Sequence, residues 1–187
     1  MKVICCDDNS LHLSLIQSAL RNAGLKTKPE IWKTGSSGQQ AIDLYLEAKK
    51  SGVQIDLVTL DIRMPVLDGL SALVKIKSIN PLQRVVMASS EDEGTVEGKS
   101  REGRDALPER EKFLLLDKVK TRVISGDFTP GKISRILDAC EELFLDPIEI
   151  AKHFKANGYL HKPYKVENVK AVIEHVMSGG GFLAKVG

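Results

Sequence analysis

The sequence predicts an α/β fold: a doubly wound, five-stranded parallel sheet with a helical element inserted between the fourth strand and the fourth helix. Three observations point there. Short apolar runs alternate with segments of helical period, the pattern of a parallel sheet covered on both faces. Several of these runs stop abruptly at a carboxylate, a hydroxyl or a lysine, most clearly in "LVTLDIRMPVLDG" at residues 57–69. The alternation breaks once, between residues 91 and 157.

The first strand is "KVICC" (2–6), which runs into Asp7 and Asp8. From Ser10 to Ala23, Leu11, Leu15, Ile16, Ala19 and Leu20 recur at helical spacing until Gly24 ends the pattern. "EIWKT" (30–34) reads as the second strand, with Trp32 packed in or beside it. Ser36 or Ser37 caps the next helix, with Gln39 or Gln40 three residues on to complete a capping box. That helix carries Ala41, Ile42, Leu44, Tyr45 and Ala48. The third strand is 56–62, followed by a helix over 67–79. "RVVMASS" (84–90) is the fourth strand, "GYLHKP" (158–163) the fifth, and "VENVKAVIEHVM" (166–177) the closing helix.

Within the break, "EDEGTVEGKSREGRD" has almost no apolar content and reads as a flexible connection. A helix starts at Pro108 and runs through "EREKFLLLDKVKTRV". Thr129 suits an N-cap, with Pro130 at the first helical position. Ile133, Ile136, Leu137, Cys140, Leu143 and Phe144 then fall on one stripe. So large an apolar face is expected to bury itself against the body or a second copy, which makes a homodimer through the insertion one expectation. Asp146, Pro147 and Glu149 open a further helix, "PIEIAKHFKAN". The expected division is a body of residues 1–90 and 146–178, a helical insertion over 91–145 with a flexible start, and a tail over 179–187.

Composition excludes several classes. Of 187 residues, 42% are hydrophobic and 28% charged, with a formal net charge of +2. That balance gives no argument for nucleic acid or an anionic membrane. No apolar run approaches the roughly 20 residues that span a bilayer. The N-terminus reaches an acidic pair too soon for a signal peptide, so a cytoplasmic protein is expected. Three cysteines, two of them adjacent, make a poor disulfide framework. Cys5 and Cys6 read instead as packed strand residues in a reducing cytosol. His12, His153, His161 and His175 are scattered without metal-ligand spacing and read as structural or exposed.

The chemistry lies at the strand ends. In a doubly wound parallel sheet, sites form at the carboxyl ends of the strands. Here those ends carry Asp7 and Asp8, Asp61, Ser89 and Lys162. Carboxylates brought together repel one another, a cost that calls for a cation. An all-oxygen set of this kind suits Mg²⁺, which keeps several waters and bridges carboxylate to phosphoryl oxygen. A lysine neutralises phosphoryl oxygens and a hydroxyl donates to one of them. Asp61 then reads as a carboxylate nucleophile on a rigid strand, presented by a turn that Pro65 and Gly69 shape, and the reaction as phosphoryl transfer.

These segments resemble the receiver domain of two-component response regulators, the single-domain chemotaxis type included. "CCDDNS" resembles its acidic pair, "LDIRMPVLDG" its phosphoacceptor segment, "VVMASS" its switch strand and "GYLHKPY" its lysine strand. The resemblance covers residues 1–90 and 158–178 and implies the flavodoxin-like receiver fold. It implies that Asp61 takes a phosphoryl group from a histidine kinase or phosphotransfer protein and switches binding to a downstream protein target. It implies Mg²⁺ held by Asp8, Asp61 and the Arg63 backbone carbonyl, with Asp7 acting largely through water. Ser89 and Lys162 would contact the phosphoryl group, Tyr159 would be the aromatic switch, and Lys162–Pro163 would be cis. Such a protein is a signalling phosphoacceptor, catalysing only its own phosphorylation and dephosphorylation. Arg63 and Glu91 match positions flanking the path of the hydrolytic water, where a pair of opposite charges would slow that hydrolysis.

The departure is the stretch of about seventy residues between Ser89 and Lys162, of which the resemblance says nothing. Two other readings compete. A haloacid-dehalogenase-like Mg-dependent phosphatase also uses a strand-end aspartate, but needs a second acid where Arg63 stands. A degenerate receiver acting only as a binding module would have no use for the complete set of acids, Ser89 and Lys162.

Overall fold

Strand alternation sends neighbouring residues to opposite faces, and here each face meets its own layer of helices. The computed structural model describes residues 1–90, 108–126, 135–142 and 145–183. Five strands, β1 (Lys2–Cys6), β2 (Glu30–Gly35), β3 (Leu57–Asp61), β4 (Val85–Ser89) and β5 (Gly158–His161), form one sheet in the order β2-β1-β3-β4-β5. Every pairing is parallel. Val3, Cys5, Leu57, Val86, Ala88 and Leu160 point to the side of α1 (Ser10–Asn22) and α7 (Val166–Met177). Ile4, Cys6, Val58, Leu60, Val85, Met87 and Tyr159 point to the side of α2 (Gly38–Lys50) and α3 (Gly69–Ile79). Cys5 and Cys6 are packed strand residues as expected, and burial pushes their thiols up to about 11 and about 12.

Local signals set the helix starts. Asn9 caps α1, accepting from Leu11 N at 2.9 Å. Ser37, not Ser36, caps α2 through Gln40 N at 3.2 Å, and the Gln40 amide reaches back to Ser36 N at 2.9 Å. Asp68 caps α3, so that helix begins two residues later than its apolar pattern suggests. β3, β4 and β5 are each shorter than their apolar runs; Ile62, Ser90, Lys162 and Pro163 lie beyond the strands.

Between β4 and β5 lie α4 (Glu109–Ser125), α5 (Ile136–Glu142) and α6 (Pro147–His153). All three bury apolar residues into the core on the α3 side, among them Leu116, Ile136 and Ile150 at 0% exposure. Each such side chain contributes about 1.5–3 kcal/mol. Of the stripe read from the sequence, Ile136, Leu137 and Cys140 are buried against the body; Ile133, Leu143 and Phe144 lie outside the described residues, as do Thr129 and Pro130. α6 stops at His153, short of the expected 157, because Lys155 turns the chain with φ of 66°.

The expected tail does not hang free along its described length. Tyr159 N donates to Leu183 O at 2.9 Å, and Leu183 bridges Gly158 in parallel at the β5 edge. No helix among the described residues is long and apolar enough to cross a membrane.

Candidate functional site

Parallel register brings the strand ends together. Cys6 pairs with Leu60, so Asp7 and Asp61 leave β1 and β3 at the same height. Asp61 pairs with Ala88, and Ser89 with His161, so Ser89 stands one residue beyond Asp61 and Lys162 two. The acids, the hydroxyl and the lysine therefore share one end of the sheet.

Asp7, Asp8 and Asp61 each offer a carboxylate oxygen within 4.8 Å of the others, the one such acidic group among the described residues. Asp7 and Asp61 are buried while Asp8 is exposed, which leaves one open side. The buried Lys162 ammonium forks between them, 2.9 Å from Asp61 Oδ1 and 2.7 Å from Asp7 Oδ2. The contact to Asp7 Oδ2 carries charge but not hydrogen-bond alignment, so among the described residues that buried oxygen has no hydrogen-bond donor. Asp7 Oδ1 accepts from Asn9 N at 3.0 Å.

The balance is anionic: three carboxylates face one ammonium. Burial pushes the Asp61 carboxyl up to about 6 against the pull of Lys162, and the charges of Asp7 and Asp8 push the same way as burial. The Tyr164 phenol beside the site is also raised, by burial first and then by Asp7 and Asp61. Three carboxylates gathered around one ammonium, with one side open to water, suit a hard divalent cation.

Ser89 is buried at the end of β4, and its carbonyl accepts from Lys162 N at 2.8 Å. Tyr159 is buried too, its hydroxyl donating to the same carbonyl at 3.4 Å. The Lys162–Pro163 bond is cis. Arg63 is exposed on the loop after β3, while Glu91 lies outside the described residues.

The loop from Ile62 to Gly69 holds Asp61 in place. Gly69 N donates to Ile62 O at 2.9 Å, and a Cβ on Gly69 would lie 1.9 Å from Asp61 O, so only glycine fits. Leu67 N closes a tight turn on Pro65 O at 2.7 Å around Val66, whose φ is 66°. That region is strained for a β-branched residue.

Two residues at this end escaped the sequence reading. His12 Nδ1 lies 3.8 Å from Asp7 Oδ1, at the rim of the acidic group rather than merely on the surface. Its place four residues after Asp8, one turn into a capped helix, was the available signal. Asp68 was hidden inside the "LDG" turn; it is fully buried, and its second set of partners comes from α5.

The response regulator receiver domain family matches residues 3–107, just over half of the chain. The chain is 33% identical over 89 residues to the chemotaxis protein CheY of Bacillus subtilis, a match covering 48% of this chain and 67% of that protein. It is 34% identical over 97 residues to a protein-glutamate methylesterase/protein-glutamine glutaminase of Archaeoglobus fulgidus, but spans only 25% of that protein's length and 52% of its own. It likewise spans only 4% of a hybrid signal transduction histidine kinase of Dictyostelium discoideum, at 33% identity over 42% of this chain. Among solved structures, the signal receiver domain of NarL from Mycobacterium tuberculosis superposes with a TM-score of 0.57 at 17% identity, covering 95% of this chain and 96% of that one. The chemotaxis protein CheY4 of Vibrio cholerae superposes at 0.52 and 17%, covering 94% and 97%.

Proposed function

Because the chain belongs to the response regulator receiver family of two-component signalling, we propose that Asp61 is its phosphoacceptor. The observation that carries this reading is the convergence of Asp7, Asp8 and Asp61 within 4.8 Å, with the Lys162 ammonium 2.9 Å from Asp61. The donor is a phosphohistidine on a histidine kinase or phosphotransfer protein. An Asp61 oxygen attacks phosphorus, the P–O bond forms as the P–N bond breaks, and the histidine leaves carrying its ring proton.

Mg²⁺ fits this acidic group. Three oxygens lie in reach, one buried Asp7 oxygen has no aligned donor among the described residues, and the open side at Asp8 leaves room for water. In this reading Asp8, Asp61 and the Arg63 carbonyl would hold the ion, with Asp7 acting largely through water, and the ion would supply positive charge to the carboxylates and to one phosphoryl oxygen. Lys162 pairs with a second phosphoryl oxygen and holds Asp61 in line for attack. The Ser89 hydroxyl donates to a third, and Tyr159 follows Ser89 because their positions are linked through the Ser89 carbonyl. The result is a change of surface that selects a downstream protein partner. On this reading the protein is a cytoplasmic phosphoacceptor without a substrate of its own. It binds neither nucleic acid nor membrane, and it self-associates through the insertion.

Incubation with acetyl phosphate, or with beryllofluoride and Mg²⁺, tests the reading. A stoichiometric adduct that needs Asp61 is expected. Turnover of phosphoesters would favour a phosphatase, and no adduct would favour a binding module.

A further inference from the structure

Asp68 has more partners than a helix cap needs. Its Oδ1 accepts from Ser71 N at 2.8 Å, the usual cap of α3. Its Oδ2 accepts from the Ser71 hydroxyl at 3.0 Å and from Leu137 N at 3.4 Å. The Ser71 hydroxyl in turn accepts from Ile136 N at 2.9 Å. Two N–H groups in the first turn of α5, which have no acceptor within their own helix, are thus held by the first turn of α3. Asp68 and Ser71 are both at 0% exposure, so the linkage is shielded from water. At the far end of the same α3 stripe, the Lys75 ammonium donates to Ile124 O near the C-terminus of α4. Acid meets a helix N-terminus and base a helix C-terminus, the sense each dipole favours.

The same carboxylate ends the loop that begins at Asp61. Gly69 is pressed against the Asp61 carbonyl and hydrogen-bonded to Ile62, and the strained Val66 turn leaves the intervening loop little freedom. A backbone shift at residues 61–62 is therefore carried into Asp68.

We infer that Asp68 and Ser71 form a clasp through which occupancy of Asp61 controls the docking of the inserted helix α5. This rests on Asp61 being the phosphoacceptor. The Leu137 bond, at 3.4 Å, is at the outer limit of a hydrogen bond, so a small displacement of Asp68 away from α5 breaks it. In this proposal loading Asp61 loosens α5.

The test is amide hydrogen exchange over residues 135–142 in the full chain, with and without beryllofluoride and Mg²⁺, the adduct being followed by fluorine NMR. The expected result is exchange at Ile136 and Leu137 faster by at least about fivefold with the adduct, the low end of coupling between sites. Sheet amides should not change. The Ile136 amide in Ser71→Ala and the Leu137 amide in Asp68→Asn should exchange fast from the outset and ignore the adduct. An adduct without altered exchange in the wild type overturns the clasp and leaves the phosphoacceptor reading standing. An equal response in the wild type and both variants also overturns it, because the signal then bypasses these side chains. Absence of any adduct overturns the phosphoacceptor reading, and the clasp falls with it.

Discussion

At the end of β3, Asp61 shares its surroundings with Asp7, Asp8 and Lys162. At the start of α3, Asp68 accepts from Ser71 N, the Ser71 hydroxyl and Leu137 N. Both acids are buried, and burial raises both. At Asp68 burial is opposed by hydrogen bonds that stabilise the charged form, helped by the charge of Arg135. At Asp61 one ammonium opposes both burial and two further carboxylates. Burial alone therefore does not mark a reactive acid. An acid whose lone pairs are filled by backbone donors holds structure together, whereas one among like charges is poised for a cation or a phosphoryl group.

The sharpest break between the two regions should come from the metal side. Asp8→Ala is expected to lower Mg²⁺-dependent labelling by a phosphodonor by more than about 100-fold, the upper end of what losing a supporting residue costs a metal site. It should leave the unfolding midpoint nearly unchanged, since Asp8 is exposed. Labelling kinetics with and without Mg²⁺, beside urea unfolding, check both halves.

The converse change is Asp68→Ala. It removes the cap of α3 and strands the Ser71 N–H and the N–H of Leu137, both in buried surroundings. A loss of about 2–4 kcal/mol in unfolding free energy is expected. A loss under 0.5 kcal/mol would show that Asp68 does not hold the two helices together.

Asp61→Asn should act in the opposite direction. The folded carboxyl is raised from 3.8 to about 6. Its contribution to stability is thus fully present below about pH 4 and is lost as pH rises through about 6. At pH 7.5 the wild type carries the full cost of a strained charge that asparagine lacks. The variant should be more stable there by roughly 1–3 kcal/mol, the upper end being the full shift, in which the pull of Lys162 is already included. The gain should vanish near pH 4, which urea unfolding from pH 4 to 8 measures. A gain independent of pH would contradict the electrostatic account.

The smallest effect belongs to the segment joining the two acids. Val66 is 78% exposed with φ of 66°, so Val66→Asn removes strain without removing packing. A gain of about 1 kcal/mol is expected, read as a higher thermal midpoint.

These contrasts also show what the sequence made legible. The strands and the converging Asp7, Asp8, Asp61 and Lys162 were readable because each apolar run is short and ends in the residue that matters. Parallel register then aligned those ends. The clasp was not readable: Asp68 and Leu137 are 69 residues apart, and nothing local distinguishes a double cap from an ordinary one. The docking of residues 179–183 on β5 was hidden similarly, because "SGGGFL" has neither helical nor strand period and its partner Gly158 carries no side chain. The early stop of α6 turns on a single residue, Lys155, in a conformation its type does not advertise.

In the proposed reading Asp61, rather than Asp68, is the reactive acid. The most direct measurement is phosphoryl transfer from acetyl phosphate with Mg²⁺ to the wild type, Asp61→Asn and Asp68→Asn, with the modified residue located by mass spectrometry after borohydride reduction of the acyl phosphate. One label per chain is expected at Asp61 in the wild type and in Asp68→Asn, and none in Asp61→Asn. A label that survives in Asp61→Asn would contradict that reading.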